Sequence, residues 1–523
     1  MRWVGARDTG LVQGSAGSDR VLLDAAAVCG HLLLPGSVHA LLAEHRSELF
    51  GDGMFADLFP SGRGRPSVPG EVVAVVMVLQ ALEGLSDREA CARLRTDLAW
   101  KAAAGLAVTD VGFHHTVLTL WRGRLRASAR PDRIFDAVRE LIALSGAVSG
   151  RSRRVLDSTV LDDAVARQDT VTMVTNQIRR VRRLVPALGA VEVRERNLGP
   201  AGAVVDWADS ADVERLVSEL VEDAAALVAA AEDLDLDAAD SDAVALLALV
   251  AGQDVEPASE PGRWRIARRT ATGRVISTVD PESRHTHKTA HAYRDGFKAH
   301  IAAEPDTGLI TAADLSAGDT GDADAAMGLL EDEPAGTVVL ADSAYGTGKL
   351  RADLKQAEME AVIKPPPLRV AVEGGHSIDD FDIDYSIDPH SAEFSGTVTC
   401  PAGVTVQISP KGTATFGRRC RDCPQRDRCT TAKNGRTVQV HTHHDLLKAA
   451  RSQARTEEFG HAYRTHRPMA ERSIAWIARR ARRCPYIGTA KNRHWLRLRA
   501  AAVNLQRLAT LGLHHTPTGW ATA

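Results

Sequence analysis

The chain has 523 residues, of which 44% are hydrophobic and 25% charged, so it is too long for one ordinary domain and has the balance of a globular protein with a real core. No run of about 18 apolar residues occurs, which excludes a membrane span, and the first residues lack the pattern of a secretory leader. The seven cysteines argue against a disulfide framework and favour a reducing cytoplasm.

Charge is segregated along the chain, although the formal net charge is only −3. Residues 201–260 hold 16 Asp and Glu against one basic residue, Arg215. Residues 448–507 hold 15 Lys and Arg against three acidic residues. A basic surface beside an acidic insert is typical of a protein that binds a polyanion, although a solvated basic helix gives the same run of charges.

The first 150 residues predict a loose arm over 1–35 and a helical domain over 36–150. Within that domain, Ser86 and Glu89 have the spacing of a capping box, which predicts the start of a helix. The last predicted helix of the domain is basic and carries Arg122 and Arg124. These helices fit either a helix-turn-helix, whose final helix enters a DNA major groove, or a plain helical bundle.

From residue 151 strand and helix patterns alternate, which predicts an α/β sheet domain over 151–367. An acidic helical insert is predicted within it at about 204–256. Asp157 lies inside one apolar strand, and Asp342 ends another. A buried carboxylate is costly unless it is capped, ion-paired or bound to a metal, so either residue alone is more often structural than catalytic.

The remainder of the chain divides into a Cys-rich insert, 368–455, and a basic helical segment, 456–523. Four thiols in the insert suit a tetrahedral Zn²⁺ site or remain reduced and unligated. In the last segment we expect a helix to start at Pro468, because proline is best tolerated at the first helical position. Glu471 would then lie in the first turn, where the helix dipole favours a negative charge. The four cysteines of the predicted zinc site are Cys400, Cys420, Cys423 and Cys429.

Asp157, Asp342 and Glu471 are together more informative than any of them alone. Two carboxylates from strands and one from a helix can hold two Mg²⁺ or Mn²⁺ ions, which stabilise the attacking and leaving oxygens of a phosphoryl transfer. Nearby Lys and Arg side chains would bind the backbone of a nucleic acid.

The segments around these three residues resemble those of bacterial insertion-sequence transposases of the DDE class. Residues 155–159 are similar to the first-aspartate strand of that family, and 340–346 to its second-aspartate motif. Tyr463, Arg467 and Glu471 are similar to its Tyr-Arg-Glu signature, although three residues rather than two separate Tyr463 from Arg467.

The resemblance extends to other parts of the chain. Residues 295–300, which include Lys298, match the hairpin strand that the family places between its aspartates. The helices of 88–106 and 113–125 look like its N-terminal helical domain. The lysine expected seven residues after the glutamate is replaced by Ala478, so Arg479 is the neighbouring candidate for that phosphate contact.

The resemblance implies an α/β fold with a ribonuclease-H-like catalytic core, interrupted by the helical and Cys-rich inserts and preceded by an all-α DNA-binding domain. It implies an enzyme that binds the terminal inverted repeats of a mobile element, cleaves the strand and joins it to target DNA with two Mg²⁺ or Mn²⁺ ions. Double-stranded DNA is the expected partner, with a homodimer on DNA, no membrane, and the bacterial cytoplasm and nucleoid as the location. The expected DNA contacts are Lys298, Tyr463, Arg467, Arg479, Arg122 and Arg124.

Two alternatives remain open at this point. One is a transposase-derived protein that binds DNA without catalysis, against which the presence of all three carboxylates argues. The other is a metal-dependent nuclease that cuts without joining, which would need the same metal ligands.

Overall fold

The computed structural model describes residues 13–14, 23–60, 64–199, 202–289 and 292–523. Most of the predicted arm, 1–35, therefore lies outside the described residues. In the described residues of the arm, Asp24 caps a short helix and pairs with Ala107 through an isolated β-bridge. Within the described ranges, no helix combines the length and the apolar character needed to cross a bilayer.

Helices dominate both ends of the chain and the first insert. The α-helices are α1 (Ala25–Cys29), α2 (Val38–Leu49), α3 (Gly70–Glu83), α4 (Asp87–Thr96), α5 (Leu98–Ala104), α6 (Thr116–Ala127), α7 (Arg133–Leu144), α8 (Thr170–Leu184), α9 (Ser210–Ala231), α10 (Ala238–Gly252), α11 (Asp322–Leu329), α12 (Gly348–Gln356), α13 (Arg426–Cys429), α14 (His444–Gln453), α15 (Glu457–Ala478) and α16 (Thr489–Thr510). Short 3-10 helices cover Gly30–Leu32, Asp52–Leu58, Pro186–Ala190, Glu195–Asn197, Ser343–Tyr345, Ile378–Asp380 and Gly417–Cys420. The predicted capping box of Ser86 and Glu89 is confirmed at the start of α4.

Strands occupy the middle of the chain and the Cys-rich insert. They are β1 (Arg153–Asp162), β2 (Val255–Pro257), β3 (Trp264–Ile266), β4 (Arg284–Thr289), β5 (Ala292–Ala303), β6 (Ile310–Ala317), β7 (Val338–Ala341), β8 (Glu360–Ile363), β9 (Asp382–Ile387), β10 (Phe394–Thr399), β11 (Thr405–Gln407), β12 (Thr413–Thr415), β13 (Thr437–Gln439), β14 (His514–Thr516) and β15 (Gly519–Ala521).

The central sheet is mixed, with the strand order β4-β5-β1-β7-β8, and β6 pairs with the remainder of the outer edge of β5. β1 is antiparallel to β5, whereas β1, β7 and β8 are mutually parallel. Parallel neighbours need a crossover connection, and α12 supplies the one between β7 and β8. The α/β prediction is therefore confirmed for this sheet.

The N-terminal helices, the sheet and the last two helices share one hydrophobic core. α16 lies at its centre and packs against α3, α7 and β6, while α15 crosses β1. The buried Arg499 of α16 donates hydrogen bonds to the carbonyls of Ala81 and of Trp476, Ile477 and Arg479 at the end of α15. This one guanidinium binds last-turn carbonyls that a helix leaves without internal partners.

The acidic insert has a hydrophobic core of its own, formed by α8, α9 and α10. It extends further than the predicted 204–256, because Met173 and Ile178 of α8 contribute to this core. Arginines preceding α9 neutralise part of its acidic surface, with Arg194 2.6 Å from Asp223.

The Cys-rich insert is a small β unit. β9, β10 and β11 form one antiparallel sheet, and β12 pairs with β13. Their apolar side chains, together with Cys429, form a separate core under these short strands.

Candidate active site

β1 and β7 bring two of the predicted site residues side by side. The strands are parallel, and their register pairs Val155 with Leu340. Two residues further along each strand, Asp157 and Asp342 occupy neighbouring positions on the same face, since strand side chains alternate with a period of two. Asp342 follows the end of β7, where one of its oxygens accepts a hydrogen bond of 2.9 Å from the N–H of Ala344.

Arg467 of α15 lies between these two carboxylates. Its Nη1 is 3.1 Å from Asp157 Oδ2, and its Nη2 is 3.8 Å from Asp342 Oδ2. Burial raises the pKa of the Asp157 carboxyl above its ordinary value, although the Arg467 guanidinium opposes this rise. Arg467 is itself buried, so the guanidinium acts as an internal counter-charge for both aspartates.

A third carboxylate, Asp322 at the start of α11, contacts Ser158, the residue after Asp157 in β1, whose side chain is on the opposite face of the sheet. Its Oδ1 accepts a hydrogen bond of 2.9 Å from Ser158 Oγ and lies 3.0 Å from Lys298 Nζ. Lys298 also donates to the carbonyl of Thr320 at 2.7 Å. The predicted DNA-contacting lysine is therefore largely buried and already paired within the site.

The side chain of Tyr345 is buried beside the end of β7. Burial raises the pKa of Tyr345 well above its ordinary value, and the charges of Asp322, Asp157 and Asp342 add to this rise. We call these three aspartates the carboxylate cluster. Arg467 and Lys298 are the basic side chains paired with these aspartates.

Glu471 does not join the carboxylate cluster in this conformation. The helix that carries it was expected to start at Pro468, and this expectation is wrong because Thr456 caps a longer α15 that continues through the proline. Pro468 removes one backbone donor from the helix interior, a position where proline normally kinks a helix. Glu471 lies on the face that carries Tyr463 and Arg467, at successive spacings of four residues, but its side chain is exposed.

The two arginines of α6 that are predicted to contact DNA, Arg122 and Arg124, contact other parts of the protein. Arg122 is 5% exposed, forms a short ion pair with Asp87 and donates to Gln80 Oε1 at 3.3 Å. Arg124 donates to the carbonyl of Leu58 and covers the ring of Phe59 at 4.5 Å. α6 faces the helical core with these side chains, because its apolar stripe turns them inward.

The other predicted DNA contacts have different surroundings. Tyr463 stacks on Phe459 with 5.7 Å between ring centroids, and burial raises its pKa. Arg479 is exposed just beyond the end of α15. Twelve residues of helix separate it from Arg467, so at 1.5 Å per residue it lies about 18 Å away.

The four cysteines of the predicted zinc site line one small cavity, together with His376 and Arg436. Burial raises the pKa of the Cys429 thiol, Arg436 opposes this, and the other three cysteines add to the rise. All four are free thiols. Across the described ranges, however, no three His, Cys, Asp or Glu side chains are arranged to hold a metal ion.

Two segments of the chain match known protein families. Residues 399–509 match the transposase DDE domain, and residues 40–124 match the transposase domain DUF772. These matches confirm the resemblance to insertion-sequence transposases of the DDE class. They imply DNA as a partner and, in general terms, an enzyme that cleaves and transfers DNA. No curated protein matches the chain.

The matched segments cover the Cys-rich insert from residue 399, α15 and nearly all of α16 at one end, and most of the helices from α2 to α6 at the other. Asp157, Asp322 and Asp342 lie between the two matches. The aspartates are therefore assigned to the site from the structure of the sheet alone, whereas Arg467 and Glu471 also lie inside a matched segment.

DDE transposases generally use divalent metal ions, and the strand carboxylates fit such an ion. Asp157 and Asp342 offer hard oxygen donors at neighbouring positions, and the shared guanidinium of Arg467 already indicates a place for positive charge between them. Glu471 would have to change its side-chain position to contribute.

Sequence reasoning missed Asp322. A signal was present, because Asp322 lies among Asp319, Asp322 and Asp324 in the predicted α/β domain, between the segments of Asp157 and Asp342. An acidic residue at the start of a helix has an ordinary capping explanation, so only the sheet pairing reveals its neighbours.

Proposed function

We propose that the protein is a DNA transposase that binds the terminal inverted repeats of a mobile element and catalyses metal-dependent strand cleavage and strand transfer. One observation carries the proposal: Asp157 and Asp342 are neighbours on parallel strands, with the Arg467 guanidinium between them. The mixed sheet that carries them supports a ribonuclease-H-like core.

Each residue of the site has a role in this proposal. Asp157 and Asp342 hold Mg²⁺ or Mn²⁺, two ions per site, with Glu471 as the third ligand. Bound metal would activate the attacking oxygen and stabilise the charge that develops on the leaving oxygen. Lys298 is paired with Asp322, and the Arg467 guanidinium balances Asp157 and Asp342 before metal and DNA bind.

DNA contacts would come mainly from exposed basic side chains of the C-terminal helices, including Arg479. Phosphate contacts position a duplex without reading its sequence, so the N-terminal helices remain our candidate for recognition of the repeats. Because two element ends must meet, we propose a homodimer on DNA, acting in the bacterial cytoplasm at the nucleoid.

The test uses purified protein, Mg²⁺ or Mn²⁺, and end-labelled DNA with the inverted repeats that flank its gene. We expect nicking at the repeat tips and, with target DNA present, a joined product. Asp342→Asn should abolish both. Nicking without a joined product would favour a nuclease, and no repeat binding at all would overturn the proposal.

One observation favours a second candidate, a transposase-derived DNA-binding protein without catalysis. Glu471 is exposed and separate from the carboxylate cluster, which is the state expected if the third ligand no longer serves a metal. Repeat binding that is equal in the wild type and in Asp342→Asn, with no cleavage in either, would identify this function.

We also propose that the four thiols at the small cavity bind a structural Zn²⁺ ion. All four line the same small cavity of the β unit, and tetrahedral zinc takes four such ligands, although the thiols would have to move closer together to bind it. Elemental analysis of protein purified without chelator should give one zinc per chain, and Cys423→Ser should lose it. A zinc content near zero in the folded wild type would contradict the proposal.

A further inference from the structure

A basic crevice of about 620 Å³ lies where the N-terminal helices meet the C-terminal segment. One wall comes from the end of α3, the start of α4 and α6, and the other from residues 480–486 and α16. Both segments that match transposase families therefore contribute to it. The crevice is separate from the carboxylate cluster.

The charges that line the crevice leave a positive excess. Asp87 is neutralised by Arg122, whereas Glu89 keeps its negative charge, which the backbone N–H of Ser86 stabilises in the capping box. Arg88 and Arg480 lie exposed at the rim. Arg483 donates its Nε–H to the carbonyl of Asp163, which does not balance its positive charge. These three arginines make the crevice attractive to an anion.

A buried histidine gives a second and independent sign of a ligand. His494 lines the crevice and is 6% exposed, and its Nδ1 lies 3.1 Å from Asp132 Oδ1. Its Nε2, on the opposite edge of the ring, is buried and has no hydrogen-bond partner within the described part of the chain. Buried polar atoms are normally paired, so this nitrogen is suited to a group that enters the crevice.

Aromatic side chains complete the lining. Tyr486 and Trp495 contribute rings, and the backbone of Tyr486 is fixed by Asn492, which accepts from its N–H at 3.1 Å and donates to its carbonyl at 2.7 Å. Arginines beside aromatic rings are the combination that binds a nucleotide, with the phosphate on the guanidinium and the sugar or base against the ring.

We propose that this crevice binds one phosphate of a DNA strand together with its nucleoside. This inference rests on the proposed function, and it adds a site where both matched segments contact the same DNA strand. The phosphate would lie between Arg88 and Arg480, and His494 Nε2 would hydrogen-bond the same nucleotide.

The fold sets the distance from this contact to the carboxylate cluster. Asp162 pairs with Arg483 at the crevice, five residues along β1 from Asp157, which spans about 17 Å. Along α15, the path from Arg467 to Ala478 is also about 17 Å. At about 3.4 Å per nucleotide, the bound phosphate lies about five nucleotides from the reacting one.

The test compares two double variants that remove the same charge from the same elements. Arg88→Ala with Arg480→Asn removes both exposed arginines from the rim. Asparagine suits position 480 because the backbone φ there is 59°. Arg95→Ala with Arg482→Asn is the matched control, because both arginines are exposed and neither lines the crevice. Thermal unfolding checks that all proteins are folded.

Binding to repeat-end duplex is measured by fluorescence anisotropy from low to moderate salt. We expect the crevice variant to lose about two units from the slope of log K against log salt, and the control to lose much less. A methylphosphonate about five nucleotides from the cleavage point should weaken the wild type and the control but have no further effect on the crevice variant.

Equal losses in both double variants, or a methylphosphonate effect that persists in the crevice variant, would overturn the inference. That result, with nicking of repeat DNA intact in the wild type, leaves the proposed function standing. Absence of both binding and nicking in the wild type would overturn the proposed function itself.

Discussion

Strand-borne and helix-borne site residues differ in how their positions are determined. Asp157 and Asp342 are neighbours because the backbone hydrogen bonds of β1 and β7 fix the register. Arg467 and Glu471 are separated by one turn of α15, yet the first is buried against the aspartates and the second is exposed. Backbone hydrogen bonds of a sheet thus fix which side chains are neighbours. In a helix, the surroundings of a side chain depend instead on how the helix is rotated about its axis and packed.

The largest effect that tests this comparison is on catalysis. Asp342→Asn should reduce strand cleavage by about 10³-fold, because several kcal/mol of charge stabilisation are lost. Glu471→Gln should reduce it by about 10²-fold if the helix-borne carboxylate moves into the site with metal and DNA. Single-turnover cleavage of labelled repeat DNA measures both.

The matched control is Glu458→Gln, at an exposed position of the same helix, which should keep wild-type activity. Asp322→Asn completes the series. Full activity in Glu471→Gln together with loss in Asp322→Asn would make Asp322 the third carboxylate and refute the assignment of Glu471.

The next effect is on stability. Arg467→Met leaves the buried Asp157 carboxylate without its counter-charge, which should cost about 3 kcal/mol of unfolding free energy. Millimolar Mg²⁺ should then raise the Tm of the variant more than that of the wild type, because the cation replaces the lost guanidinium. Arg464→Met, exposed on the same helix, is the control. An equal Mg²⁺ response in all three proteins would show that the aspartates do not bind the ion.

A smaller effect separates the structural arginine of α6 from a DNA contact. Arg122→Met should lose about 2 kcal/mol of stability, because Asp87 and Gln80 lose a buried partner. The salt slope of DNA binding should not change. Arg126→Met on the same helix serves as the comparison, since Arg126 is only half-buried. A slope reduced by about one unit in Arg122→Met would restore the groove-reading role.

The sequence predicted the elements of the sheet well, because their apolar runs are short and bounded by turn residues. The strands predicted around Asp157 and Asp342 are β1 and β7. The prediction that a helix starts at Pro468 was wrong, because a proline acts only locally, whereas the cap at Thr456 and the packing of α15 on β1 stabilise the longer helix. The inward turn of Arg122 depends on a partner 35 residues earlier, which no local pattern contains.

The smallest expected effect is the pH dependence of stability at Asp157. Burial raises the pKa of this carboxyl in the folded protein above its ordinary value of 3.8, so folding favours the protonated form. Its stabilising contribution is therefore complete below the unfolded pKa and is lost as pH rises through the folded pKa. Asp157→Asn, which cannot ionise, should have a slightly higher Tm than the wild type at neutral pH, and this difference should vanish as pH falls towards 4. Asp384→Asn, on an exposed strand position, should show no such trend. A Tm difference that grew on acidification would mean that Arg467 outweighs burial, so that the ionised form of Asp157 stabilises the fold. A metal ion would then have to compete with the Arg467 guanidinium for this carboxylate.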